Sequence, residues 1–146
     1  MKALVTTLAL VLTISLTSLA QNVPTAAKDA FNSKYPNATD VDWEKKDKDG
    51  KTLYIAEYKI GKTEYYAVYD ASGKLMKHKT TIMESELPNA VKSTIKNQYK
   101  DYKVDDVYRV EKDGKTFYMV ELDGKVDKKV AISADGVVMK DHTDWE

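Results

Sequence analysis

The heptapeptide Lys112-Asp113-Gly114-Lys115-Thr116-Phe117-Tyr118 has a near copy earlier in the chain, Lys48-Asp49-Gly50-Lys51-Thr52-Leu53-Tyr54. A tight Asp-Gly turn that runs into an apolar, aromatic strand, met twice, is the mark of a duplicated unit. The same offset carries Pro24, Ala26, Lys28 and Tyr35 onto Pro88, Ala90, Lys92 and Tyr99, Asp42 onto Asp106, and Glu57 onto Glu121. After a slip of one residue it resumes with Gly61 and Gly124, Gly73 and Gly136, Met76 and Met139. Loops tolerate such a slip. The sequence therefore predicts two units, residues 21–79 and 87–146, joined by a short polar linker at 80–86.

Within each unit the periodicity changes once. Ala27, Phe31 and Tyr35 follow Pro24 at intervals of one helical turn, and Val91, Ile95 and Tyr99 follow Pro88 in the same way. Each set forms one apolar stripe of a short helix, and a proline suits the helix start because the N–H it lacks would have no partner there. Strands are expected next at 41–46 and 107–111, at the residues after each Asp-Gly turn, at 65–70 and 126–133, and at 74–77 and 137–140. The predicted fold class is α+β: two tandem repeats, each an N-terminal helix followed by a four-stranded antiparallel meander, with the sheets combined into one platform. A single unit of this size rarely supplies more than ~3–5 kcal/mol without staples, so the two are expected to lean on one another.

Strand parity decides which side chains meet the helices. If Asp123-Gly124-Lys125 forms a three-residue hairpin loop, Leu122 opposes Val126, and Tyr118, Val120, Val130 and Ile132 share one face. A two-residue turn would exchange the faces. On the three-residue reading, Tyr54, Ala56, Tyr58, Tyr65, Ala67 and Tyr69 face the first helix. The other face keeps Leu53, Ile55, Tyr66, Val68, Phe117 and Met119, mixed with Glu57, Glu121 and Lys129. A sheet covered on one side is usually polar on the other, so a half-apolar second face points either to contact between the units or to an interaction surface. The candidate binding residues are Leu53, Ile55, Glu57, Tyr66, Phe117, Met119 and Glu121.

Residues 1–20 stand apart, with Lys2 followed by an apolar run and a small-x-small end at Ser18-Leu19-Ala20. The pattern is that of a secretory signal peptide, and the run is short for a spanning helix. No membrane insertion is expected once it is removed. The chain has no cysteine, which excludes disulfides and thiolate chemistry. Its 23 basic and 23 acidic residues balance, and all but Arg109 of the basic ones are lysine, so no nucleic-acid partner is expected.

No catalytic residue, cofactor or metal site is expected. His78 and His142 each fall just past a strand, with no serine or second histidine at motif spacing. The acidic groups Asp40-x-Asp42, Asp47-x-Asp49 and Asp105-Asp106 lack the alternate ligands and closing glutamate of a calcium loop. Glu57 and Glu121 are most simply cross-strand partners of lysines such as Lys62, Lys128 or Lys129.

The Pro-initiated helices ending in tyrosine, the Val41-Asp42-Trp43 first strand and the Asp70-Ala71-Ser72-Gly73-Lys74 hairpin, all after a secretory segment, resemble the PepSY-like family of beta-lactamase-inhibitor-like proteins. The second unit has Val107-Tyr108-Arg109 where the first has Val41-Asp42-Trp43. The resemblance implies tandem helix-and-sheet units whose sheets join into a concave platform that grips a partner's loop. It also implies a non-enzymatic protein of the periplasm or the secreted fraction. The expected function is thus an exported protein-binding module, inhibitor-like, acting through the open sheet face. A periplasmic binder of a small molecule or of calcium is the alternative.

Overall fold

The computed structural model describes residues 22–139, so the expected signal segment at 1–20 lies outside the described residues, as do Lys140 and His142. In chain order the elements are α1 (Thr25–Lys34), β1 (Thr39–Lys48), β2 (Lys51–Ile60), β3 (Thr63–Tyr69) and β4 (Leu75–Ile82). A 3-10 turn at Glu84–Glu86 follows, then α2 (Asn89–Gln98), β5 (Lys103–Lys112), β6 (Lys115–Asp123), β7 (Lys128–Ser133) and β8 (Val138–Met139). Pro24 and Pro88 stand one place before their helices, where their carbonyls accept the first intrahelical hydrogen bonds, from the N–H of Lys28 and of Lys92.

The α+β class stands, but the expectation of two tandem helix-plus-meander repeats is overturned. Among the described residues all eight strands form a single antiparallel sheet in the order β1 to β8, with two short α-helices on it. The joint lies where a linker was expected. Thr80, Thr81 and Ile82 extend β4, which pairs with β5 from Lys77 opposite Lys112 to Ile82 opposite Val107. A four-stranded meander ending at residue 77 would have left the outer N–H and C=O groups of its last strand unpaired. A run of β-branched residues pairs that edge with β5 and makes one sheet.

The helices cover one face. Phe31, 2% exposed, is the centre of the α1 side, with its ring 5.0 Å from Tyr58, 5.4 Å from Trp43 and Tyr35, and 6.5 Å from Tyr69, centroid to centroid. Tyr54, Ala56, Tyr65 and Ala67 complete this cluster. On the α2 side, Val91 and Ile95 pack on Val107, Val120, Leu122, Val130 and Ile132. The strand faces are therefore as expected although the hairpin is not. Leu122 opposes Lys128, not Val126, so the connection is longer than three residues and Val126 is left exposed. The displacement is two places along the strand, which leaves every side chain on its own face.

Two glycine turns lock the helices to the sheet. Gly73, between β3 and β4, has φ +84, and a Cβ built on it would lie 2.5 Å from the carbonyl oxygen of Ala26 in α1. Gly136, between β7 and β8, approaches Ala90 of α2 in the same way at 2.9 Å. Both the left-handed backbone and the close approach demand glycine. Gly73→Ala is expected to destabilise the fold by about 2 kcal/mol, through strain plus displacement of α1. A urea titration of the variant would measure it.

At one edge of the sheet, β1 is irregular. Its register shifts between Thr39 and Asp42, and Asp40 adopts φ 50 within that shift. Most of its side chains are exposed, and Asp42, Glu44, Lys45 and Asp47 are among them.

Candidate interaction surface

On the sheet face opposite the helices, Ile55, Val68, Val110, Phe117, Met119 and Ala131 form a third apolar cluster, flanked by Leu53, Tyr66, Met76, Tyr108 and Met139. Every one of these residues comes from a strand, and neither helix contributes. The buried members form a floor, and the partly buried ones pack around it.

The sequence-predicted residues all belong to this face, but they divide by depth. Ile55, Phe117 and Met119 are buried and belong to the floor. Leu53, Tyr66 and Glu121 are half-buried and Glu57 is exposed, so these four can meet a partner. Glu57 pairs across to Tyr66, and Tyr66 to Lys79. Glu121 pairs with Lys129 as expected, with Lys129 Nζ 2.8 Å from Glu121 Oε1.

Sequence reasoning missed the centre. Lys79 on β4 is 7% exposed, and its Nζ lies 3.8 Å from the centroid of the Tyr66 ring and 4.2 Å from that of Tyr108. An ammonium held over two ring faces is stabilised by their negative quadrupoles, the more so when desolvated. The Tyr66 hydroxyl donates to Glu64 Oε2 at 2.8 Å. Burial, aided by Lys129, pushes the Lys79 amine down to about 8, while Glu121, Glu64 and Glu57 pull it the other way. Glu57 is pushed above the ordinary carboxylate value, first by desolvation and then by Glu64. Burial raises the Tyr66 and Tyr108 hydroxyls above the usual phenol value.

The titration of Lys79 fixes a sign. Its folded value lies below the 10.5 of an ordinary lysine, so between about pH 8 and 10 the unfolded chain holds a proton that the folded chain has lost, and stability gains from this group as pH rises. A side-chain carbon NMR titration is expected to show Lys79 moving near pH 8, well before the surface lysines. Movement together with them would contradict the burial described above.

His78, expected at a solvated strand end, is instead half-buried on the helix side. Its ring stacks on Tyr35 and Tyr65 at 5.7 and 5.8 Å, and its Nε2 shares a hydrogen bond with the Tyr58 hydroxyl at 3.0 Å. Burial lowers its pKa. Among the described residues no group of three or more His, Cys, Asp or Glu side chains gathers as a metal site would require. A cleft of ≈ 260 Å³ is lined by Asp105, Glu121, Asp123 and Asp127 with Lys128 and Lys129, and another of ≈ 220 Å³ lies between β4 and β5. Both fall below the ~300–1,000 Å³ of ordinary small-molecule sites. No described helix is long and apolar enough to cross a membrane.

Comparison with known proteins agrees with this architecture. The sequence profile of a family described as "Putative beta-lactamase-inhibitor-like, PepSY-like" matches residues 62–140. A BLIP-like protein from Bacteroides fragilis is similar in structure, with TM-score 0.67 and 27% identity over 84% of this chain and 89% of that one. A protein from Bacteroides eggerthii described as one of the "putative periplasmic proteins" has TM-score 0.72 at 16% identity, covering 81% of this chain and 86% of that one. A DUF2874 family protein from Bacteroides uniformis has TM-score 0.70 at 19% identity, over 80% and 86% of the two chains. The last two likenesses speak to fold alone. No curated protein matches the sequence.

Proposed function

Since the chain belongs to the PepSY-like family of beta-lactamase-inhibitor-like proteins, we propose that it is an exported, non-catalytic module that binds a protein through the helix-free face of its sheet. The observation that carries this reading is the Tyr66–Lys79–Tyr108 centre, two half-exposed tyrosines that flank a buried ammonium and pack against an apolar floor. Tyrosine supplies a large contact area at low entropy cost and dominates interface hot spots. A standard interface needs ~800 Å² on each side, a scale that suits an eight-stranded face. The small size of the two clefts described above favours this reading over a small-molecule binder. The likeness to a protein described as periplasmic supports export.

The test uses affinity capture from a Bacteroides envelope extract, followed by calorimetry with the purified captured protein. Leu53→Asp with Tyr66→Asp, both half-exposed positions, is expected to abolish binding. Lys96→Glu, on the exposed side of α2, is expected to leave it intact. Equal capture by the wild type and the double variant would overturn the reading. Phe117 is unsuitable for this purpose, because a charge in the floor would unfold the sheet.

A further inference from the structure

The register of the sheet places like charges side by side on the helix-free face. Lys77 on β4 pairs with Val68 on one side and with Lys112 of β5 on the other. Lys112 pairs in turn with Lys115 of β6. Val68, with Val110 and Phe117 two residues along from Lys112 and Lys115, belongs to the floor cluster, so this lysine row borders that floor. At the same end of the sheet Lys48 pairs with Lys51, and Lys46 with Leu53. Lys51 and Lys115 are exposed and the others half-buried. Among the described strand residues Glu44 is the carboxylate that the register puts in line with the Lys77–Lys112–Lys115 row, and Asp49 and Asp113 occupy the two hairpin turns at this end.

Like charges directly opposite one another on adjacent strands destabilise a sheet. Replacing one of them would relieve the repulsion. The opposite end of the face is acidic, with Glu57, Glu64 and Glu121 around Lys79. The face is therefore polarised along the strands: the half-exposed Leu53, opposite Lys46, and Met76, next to Lys77, lie beside the lysine row, and Tyr66 lies between them and the acidic end.

Resting on the protein-binding reading above, we propose that this lysine row anchors an acidic segment of the partner protein, whose neighbouring apolar or aromatic side chains lie on Leu53, Tyr66 and Met76. Opposite charge on the partner replaces the repulsion between lysines with attraction, which steers the encounter and sets the orientation of the bound segment. A basic segment would meet repulsion there. Charge complementarity of this kind weakens with salt.

The probe is a short fluorescein-labelled peptide that alternates glutamate and tyrosine, followed by fluorescence anisotropy. Saturable binding is expected, weakening about tenfold between about 50 and about 300 mM NaCl. Lys115→Glu should weaken it by at least about tenfold, and the same substitution should raise the melting temperature by about 2 °C because it pairs Lys112 with an acid. The charge-matched control Lys96→Glu, on the exposed side of α2, should bind as the wild type does. Lys51→Glu at the other hairpin supplies a second, independent loss.

No binding of the peptide, or equal weakening by the control, would overturn the proposal. So would tighter binding of single-stranded oligothymidylate than of the peptide, since the ligand would then be a nucleic acid, or dimerisation in sedimentation that Lys115→Glu abolishes, since the occupant would be a second copy. A captured partner that is lost with Leu53→Asp and Tyr66→Asp but kept with Lys115→Glu would overturn this anchoring role alone and leave the protein-binding reading in place.

Discussion

Truncating Phe31 to alanine is expected to cost about 3–5 kcal/mol, the loss found when a large buried aromatic side chain is removed from a core that can collapse only in part. Four aromatic rings lie within 6.5 Å of it, centroid to centroid, and three of them come from strands β1, β2 and β3. Its loss therefore removes edge-to-face contacts with Tyr58, Trp43 and Tyr69 together with the burial itself. Since α1 meets the sheet mainly through Ala27 and Phe31, its docking is expected to fail first. Urea denaturation should show a lower midpoint, and amide exchange should show α1 opening ahead of β5 to β7. Phe31→Leu, which keeps most of the volume, is expected to cost less than about 1.5 kcal/mol. A loss of less than about 1 kcal/mol in Phe31→Ala would mean that the ring cluster is not the centre of this half of the core.

Lys79→Glu carries the second large expectation, about 3–5 kcal/mol of destabilisation, because an unpaired buried charge is not repaid by its surroundings. The substitution puts a carboxylate against the faces of two tyrosine rings and beside Glu57, Glu64 and Glu121, where every electrostatic contact changes sign. Lys79→Met keeps the stem and removes the charge, and replacing a buried charged group by an apolar one of similar volume is often neutral or mildly stabilising. The contrast between the two variants in thermal unfolding near pH 7 separates charge from packing. If methionine cost as much as glutamate, the ammonium itself would be what the fold needs.

Sequence reading went furthest where chemistry is local. The helix starts at Pro24 and Pro88 and the hairpins at Asp49-Gly50 and Asp113-Gly114 needed only their own neighbours, and each appears in the structure where it was expected. The facing of the strands was also legible, since an error of two residues in the β6–β7 hairpin leaves parity unchanged. Beyond this reach lay what depends on residues distant in sequence. Lys77-His78-Lys79-Thr80 has no apolar alternation, so β4 reads as ending early. Only pairing with β5 on one side and β3 on the other extends it and closes the sheet. The burial of Lys79 has the same origin, because Tyr66 and Tyr108 reach it from different strands. A lysine between hydrophilic neighbours gives no local sign of this. The candidate residues Ile55, Phe117 and Met119 were placed on the right face but too near the solvent, as period-two alternation gives direction and not depth.

The distorted border strand β1 limits how this protein can join another. Its irregularity at Asp40 shortens the regular edge, and its row of charged groups makes that edge a poor template for a foreign strand. Recognition by extension of the sheet is thus disfavoured on that flank, and so is the runaway stacking that turns bare sheet margins into fibrils. A visitor to this protein is steered from that flank to the broad side and held there by side chains, which makes its selection a matter of shape and charge more than of backbone pairing.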